Sequence, residues 1–302
     1  MDIHEKHKDS KNNDYWDNLV AGNTGQYKTN VLKKLVKQHF SKKCSRILDV
    51  GVGTSEEILK YKDIFNAEKI VCVDYDAKII ELMRSKHNDS SIEWKVADIF
   101  NIDESINNFD FVLLFDMLHE IYSFYGRPNK DISLPVDHNI GQDFVKKALK
   151  NVSQLITPQG GLSITDNVVA TENKTVRIKM MNAHIVSTVN FFFENYPSKK
   201  IEHTFLKDDI IEINSKDLCI LLTQYNKIKN HNMTRWNVEK LEIHQYMTIE
   251  EYKAFFNEIG FKVHYTVETP EENLLEWRND FSILDGLEKF PSKRITLLAI
   301  KE

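Results

Sequence analysis

Ile47-Leu48-Asp49-Val50-Gly51-Val52-Gly53-Thr54-Ser55-Glu56-Glu57 is the stretch that decides how this chain folds. An apolar run too short for a helix meets two glycines one residue apart, and a helix-like segment follows from Ile58. A buried parallel strand that turns sharply into the helix packed on it has this pattern, and the glycines leave the turn bare enough for a ligand to touch backbone. The charges narrow the ligand. A diphosphate fingerprint needs glycine at the third position of G-x-G-x-x-G, and here that position is Glu56, followed by Glu57. Two carboxylates suit the positive end of a helix dipole but repel a phosphate. The turn therefore predicts a nucleotide-like ligand with no phosphate and a positive centre.

Downstream, the same strand-then-helix unit recurs. Ile70-Val71-Cys72-Val73 ends in Asp74-Tyr75-Asp76, with Asp74 about 23 residues past Gly51. An acid at the tip of a second strand, about 20 residues on, accepts hydrogen bonds from ribose hydroxyls. Asp76 reads as the cap of a helix from Ala77. Ile92 to Val96 alternates as a third strand and leads to Ala97-Asp98-Ile99-Phe100. Phe109 to Phe115 is continuously apolar, as a central strand is, and runs into Asp116-Met117-Leu118-His119-Glu120. A helix over Phe144 to Leu155, a turn at Thr157-Pro158-Gln159-Gly160-Gly161 and a fifth strand, Leu162 to Thr165, end at Asp166-Asn167. Five such repeats in roughly 125 residues require a doubly wound parallel sheet.

The flanks differ. Met1 to Asp14 is polar throughout, reads as a loosely attached arm and is not a signal peptide. Tyr15 to Leu19 is a short amphipathic piece ended by Gly22 and Gly25, and Tyr27 to Phe40 has helical spacing. From Val168 to Gln245 the pattern changes to aromatic-rich segments. Val176 to Phe193 and Leu218 to Ile228 are expected to be helical, with strands or a loop between Glu202 and Asn214. This region is expected to be a lid or a dimerisation element. Sheet pattern then resumes. Thr248 caps Ile249 to Ile259 with Glu251 at capping-box spacing, Gly260 stops the helix, and Phe261–Val267 and Ile295–Ile300 are strands. The expected organisation is an arm (1–26), a cofactor-binding core (27–169), an insertion (170–245) and a C-terminal part of the core (246–302).

The chain has 302 residues, 41% hydrophobic and 28% charged, with a net charge of −5, which argues against a broad polyanion-binding surface. Cys44, Cys72 and Cys219 lack metal-ligand spacing and read as free thiols in a reducing compartment. No apolar run reaches the length of a membrane span, so a cytoplasmic protein is expected.

Asp49-Val50-Gly51-Val52-Gly53, the acid at Asp74, the Asp98-Ile99 pair, the proline and glycine turn before the fifth strand, and the closing helix-Gly-Phe-strand together resemble the class I S-adenosylmethionine-dependent methyltransferases. The resemblance implies a Rossmann-type α/β fold: a doubly wound, seven-stranded, mostly parallel sheet with its last strand inserted antiparallel, here carrying a mainly helical insertion. It implies S-adenosylmethionine as cofactor, a sulfonium with no phosphate. Asp49, Gly51 and Gly53 would hold the methionine end, Asp74 and Tyr75 the ribose, and Asp98 and Ile99 the adenine, with Asp116 also at the cofactor.

Leu118-His119-Glu120 resembles the Leu-His-Asp segment of plant-type small-molecule O-methyltransferases. That implies His119 as general base, Glu120 orienting it, and an oxygen on a small acceptor as the methyl's destination. An alternative resemblance is to the catechol-type enzymes, with Asp116, Asp166 and Asn167 chelating Mg²⁺. An RNA methyltransferase that grips its target with the insertion, or a non-catalytic binding module, are further readings. The Asn/Asp-Pro-Pro-Tyr/Phe motif of amino-methylating nucleic-acid enzymes is absent after the fourth strand, and nucleic acid is not the expected partner. A homodimer through the insertion is possible on this reading, and His184, Tyr196, His203, Tyr225, His231 and Trp236 are expected to pack it or line an aromatic pocket.

Overall fold

A computed structural model of the chain describes residues 24–54, 56–102, 107–230 and 233–302. The arm at Met1–Asp14, the Tyr15–Leu19 piece, Gly22, Ser55 and His231 lie outside the described residues.

The chain runs α1 (Thr24–His39), β1 (Arg46–Val50), α2 (Ile58–Phe65), β2 (Lys69–Asp74), α3 (Ala77–Lys86), β3 (Ile92–Val96), β4 (Phe109–Phe115), α4 (Leu118–Tyr125), α5 (His138–Gln154) and β5 (Ile156–Asn167). It closes with α9 (Ile249–Glu258), β9 (Phe261–Glu268) and β11 (Arg294–Lys301). These strands form one seven-stranded sheet in the order β3-β2-β1-β4-β5-β11-β9. β1 pairs in parallel with β2 and β4, β2 with β3, and β4 with β5, while β11 is antiparallel to both of its neighbours. The expected architecture and its antiparallel last strand are both present.

The sheet is buried on both sides, as its unbroken apolar strands require. Leu48, Val50, Val71, Val73, Val112 and Leu114 feed one core. Their neighbours Ile47, Ile70, Cys72, Phe111 and Leu113 feed the other, beneath α1 to α3. Successive residues of each strand thus serve opposite faces. Local signals behave as their chemistry demands. Asp76 accepts from the Lys78 amide at 3.0 Å to start α3, and Thr248 and Glu251 form a full capping box on α9. The glycine-rich segment before the fifth strand is a bulge inside β5. Its pairing with β4 jumps from Phe109↔Ile156 to Phe111↔Gly161, with Gln159 at φ 60.

Between β5 and α9 lie β6 (Thr175–Met180), α6 (Ala183–Asn195), β7 (His203–Lys207), β8 (Ile210–Asn214), α7 (Ser215–Lys229) and α8 (Met233–Glu239). The Val176–Phe193 segment, expected to be helical, begins as a strand. Val176, Ile178 and Met180 are buried while Thr175, Arg177 and Lys179 are exposed, a period of two rather than 3.6. The helix starts only after Asn182, whose side chain accepts from the Ile185 amide. β6, β7 and β8 join β10 (Phe281–Asp285), which follows α10 (Glu271–Asp280), in a second, antiparallel sheet of order β10-β6-β8-β7. Tyr196 and Trp236 pack with Phe192 beneath it, His203 stacks on Phe193, and the Tyr225 hydroxyl donates to Asp280 at 2.9 Å. Cys44, Cys72 and Cys219 are buried free thiols. No helix among the described residues is long and apolar enough to cross a membrane.

Candidate active site

The turn after β1 takes the shape its glycines allow. Gly51 and Gly53 have φ of 72° and 52°, the left-handed region that side chains disfavour. The Gly51 amide donates to Val73 O at 2.9 Å, and the Gly53 amide donates to Asp74 Oδ2 at 3.1 Å. Asp74 Oδ1 accepts from the Asp76 amide at 2.9 Å. The acid at the tip of β2 thus ties the glycine elbow to the start of α3.

Asp49, Asp74 and Asp116 converge on this elbow from three adjacent strands. Burial pushes Asp49 up to about 7, with the Lys28 ammonium working against it and the Asp74 charge adding to it. Burial also lifts Asp74 to about 6, although the amides of Asp76 and Gly53 hold it down. Asp116, at φ 49, ends β4 and donates its own amide to Thr165 O at 2.8 Å. Burial alone would raise its carboxyl, but Arg294 and Lys28 bind it and hold it well below the usual carboxylate range. Lys28 comes from α1 and Arg294 from β11, so a helix and a strand far apart in the chain contribute to this charge network.

Tyr75 is half-buried. Burial raises its phenol, and the charges of Glu120, Asp74 and Glu242 add to the rise. Asp98 accepts from the Phe100 amide at 2.8 Å to shape the loop after β3, and Ile99 is buried beside it.

His119 and Glu120, adjacent on α4, face different surroundings. The charge of Glu120 bears on Asp74 and Tyr75. His119 faces the other way, into a buried cluster shared with the segment after α8. Its Nδ1 lies 2.8 Å from Asp166 Oδ1 and its amide donates to Asp166 Oδ2 at 3.1 Å. Its Nε2 is 3.6 Å from Glu242 Oε2, and its ring stacks on His244 with centroids 4.4 Å apart. Burial opposes charge on this ring, but Asp166 and Glu242 outweigh it and raise the imidazole well above its ordinary value. His244 goes the other way. Burial, with Lys227 and His119 nearby, pushes it down to about 4, although Glu239 faces its Nε2 at 3.1 Å.

Asp166 is fully buried. Besides His119, it accepts from the Tyr246 hydroxyl at 3.1 Å and from the Asn167 amide at 2.8 Å, and the Tyr252 hydroxyl donates to Tyr246 at 2.7 Å. Asp116 and Asp166 do sit at neighbouring strand ends, but each is already bonded to cationic or hydroxyl partners. Asn167 Oδ1 is buried without a hydrogen bond.

Lys28, Arg294, Glu239, Glu242 and His244 belong to this region and were not singled out from the sequence. One signal for two of them exists. Glu242-Ile243-His244 alternates polar and apolar residues, which puts Glu242 and His244 on one side of an extended segment, opposite the buried Ile243.

Residues 47–125 match the family model described as a methyltransferase domain. An uncharacterized protein of Rickettsia prowazekii (strain Madrid E) is 22% identical over 169 residues, a span covering 55% of this chain and 60% of the relative. The chain therefore aligns with less than two thirds of that relative's length. Among solved structures, the plantazolicin methyltransferase BpumL in complex with SAH has a TM-score of 0.51 at 11% identity, over 99% of both chains. The YcgJ protein of Bacillus subtilis reaches a TM-score of 0.49 at 11% identity, over 92% of this chain and 99% of its own. The family match begins on β1, takes in the glycine elbow and ends with α4, and the seven-stranded sheet around it has the fold of the BpumL methyltransferase structure.

Proposed function

We propose that the chain transfers a methyl group from S-adenosylmethionine to a small-molecule acceptor. The observation that carries this reading is the glycine elbow tied to Asp74 at the tip of β2: an acid in that place accepts from ribose hydroxyls, and Glu56 and Glu57 before α2 oppose a diphosphate. Asp49, Gly51 and Gly53 hold the methionine end. Asp74 and Tyr75 hold the ribose, and Asp98 and Ile99 hold the adenine. Asp116, fixed by Arg294 and Lys28, closes the site on the β4 side. The methyl carbon then faces the space past the carboxyl ends of β4 and β5, where acceptors bind in open α/β sheets.

Transfer to oxygen, with His119 as general base, is the finer reading that the Leu118-His119-Glu120 segment suggests. The geometry supports a different role for this ring. Its Nδ1 is bonded to Asp166 and its Nε2 faces Glu242 inside a buried cluster, so both ring nitrogens already look onto the protein's own carboxylates. His119 serves better as an anchor of the buried cluster, and oxygen as the acceptor atom rests on the sequence motif alone. The Asp116, Asp166 and Asn167 metal trio is also less favoured, since both acids are already engaged.

Calorimetry with S-adenosylmethionine and with NAD tests the cofactor. The first is expected to bind and the second is not, and a dinucleotide bound across Gly51 and Gly53 would overturn the reading. Turnover of methyl-labelled cofactor against a small-metabolite extract and against RNA then tests the acceptor class, with product expected in the first fraction only.

A further inference from the structure

We propose that His119, Glu242 and His244 form a binding site for one divalent transition-metal ion of the zinc class. The three side chains come from two separate parts of the chain, α4 and the segment after α8, and all three are buried. One ligand atom from each lies within 4.8 Å of the others.

Two of the three ligand-to-ligand distances fit a coordination shell. Glu242 Oε2 stands 3.6 Å from His119 Nε2 and 3.7 Å from His244 Nε2. Both exceed the length of an N–H···O hydrogen bond. They fall close to the edge of a tetrahedron around an ion with bonds of roughly 2.0–2.1 Å, about 3.4 Å. Two imidazoles and one carboxylate are the donor set that zinc and its neighbours select, and a set that Mg²⁺ and Ca²⁺ do not.

Outer contacts already orient these donors. Asp166 accepts from His119 Nδ1 at 2.8 Å, which turns Nε2 towards Glu242. Carboxylates placed behind a ligating histidine in this way fix its tautomer and raise its basicity. Asp166 is itself held by Tyr246 and the Asn167 amide. Gln224 lies 3.1 Å from His244 Nδ1, leaving Nε2 as the nitrogen facing the two glutamates. Glu239, 3.1 Å from His244 Nε2, is already bound by Lys227 and Arg235, which leaves the fourth position to a water.

The site joins α4, the helix that follows the central strand β4, to the segment that follows α8. It would clamp those parts together. The inference does not depend on the methyl-transfer reading, because its readout is metal content.

The test uses the full chain, stripped with a chelator, mixed with one equivalent of zinc, desalted and assayed for bound metal. One zinc per chain is expected for the wild type. Less than a tenth of that is expected for Glu242→Gln and for His244→Asn. The stripped wild type is also expected to melt at a higher temperature once zinc is added. Absence of bound zinc in the wild type overturns the proposal, and so does full stoichiometry in both variants. Should the variants fail to fold, cobalt(II) titration of the wild type decides. A visible d–d band of a four-coordinate nitrogen and oxygen site supports the assignment, and no band refutes it.

Discussion

Gly53 and Asp74 are hydrogen-bonded across the first two strands, the glycine amide donating to the carboxylate at 3.1 Å. Loop and acid are therefore one unit, and a ligand that bonds to the carboxylate also reads the shape of the turn. Asp74→Asn preserves the side chain's outline while removing its charge and one acceptor. A hydrogen bond to a charged group contributes about 1.5–3 kcal/mol, so affinity for S-adenosylmethionine should fall by roughly 10–100-fold. Calorimetry at neutral pH reads this directly, and an unchanged affinity would remove Asp74 from the ribose.

The buried acid one strand over gives a pH signature. Asp49 titrates near 7 in the folded protein against 3.8 for a free carboxyl. Between those values the native state keeps a proton that the unfolded chain has lost. The contribution of Asp49 is therefore fully present below about pH 4 and lost as pH rises through about 7. Urea midpoints across this window should fall less steeply for Asp49→Asn than for the wild type. Parallel profiles for the two proteins would show that Asp49 does not carry the dependence.

Arg294, buried in β11, pairs with the half-buried Asp116 at the end of β4. Removing one member of a buried pair leaves the other charge uncompensated, at a cost of about 3–5 kcal/mol. Asp116 is half-buried and keeps Lys28, so Arg294→Met is placed between that figure and an exposed pair, about 2 kcal/mol. Equilibrium unfolding measures it, and a loss below about 0.5 kcal/mol, the size of an exposed pair, would contradict the burial argument.

Gly286 follows β10 with φ 88°, and a Cβ there would lie 2.1 Å from Thr175 O on β6. Gly286→Ala therefore meets both a disfavoured backbone and a rigid carbonyl. A loss above about 2 kcal/mol is expected, since backbone strain alone is of order 1–3 kcal/mol. A near-neutral effect in thermal melts would mean that β10 can move away from β6 freely.

The parts of this fold that could be read from the chain are those where one residue type has one physical use. Paired glycines after Val50, an acid after Val73, the unbroken apolar run at Phe109–Phe115 and the capping box at Thr248–Glu251 each act locally, and each forms where expected. The second sheet was harder to see because β6 is only six residues long, runs into a helix, and pairs with β8 and β10 at long separations. Short amphipathic runs of this kind fit either period until their partners are known. The environment of His119 was hidden for a related reason. Asp166, Glu242 and His244 lie 47 or more residues away from it, and only tertiary packing brings them to its ring.

β10 lies between β9 and β11 in the chain but hydrogen-bonds to β6 in the other sheet. The polypeptide thus leaves the large sheet, stitches the edge of the small one, and returns to fill the slot between β5 and β9. A segment excised at residues 170–245 would keep three strands with one flank unpaired, and the large sheet could not be closed without passing through the small one. The two sheets are laced by their connectivity as well as by their contacts, so force or denaturant applied to one should be felt by the other before either comes apart.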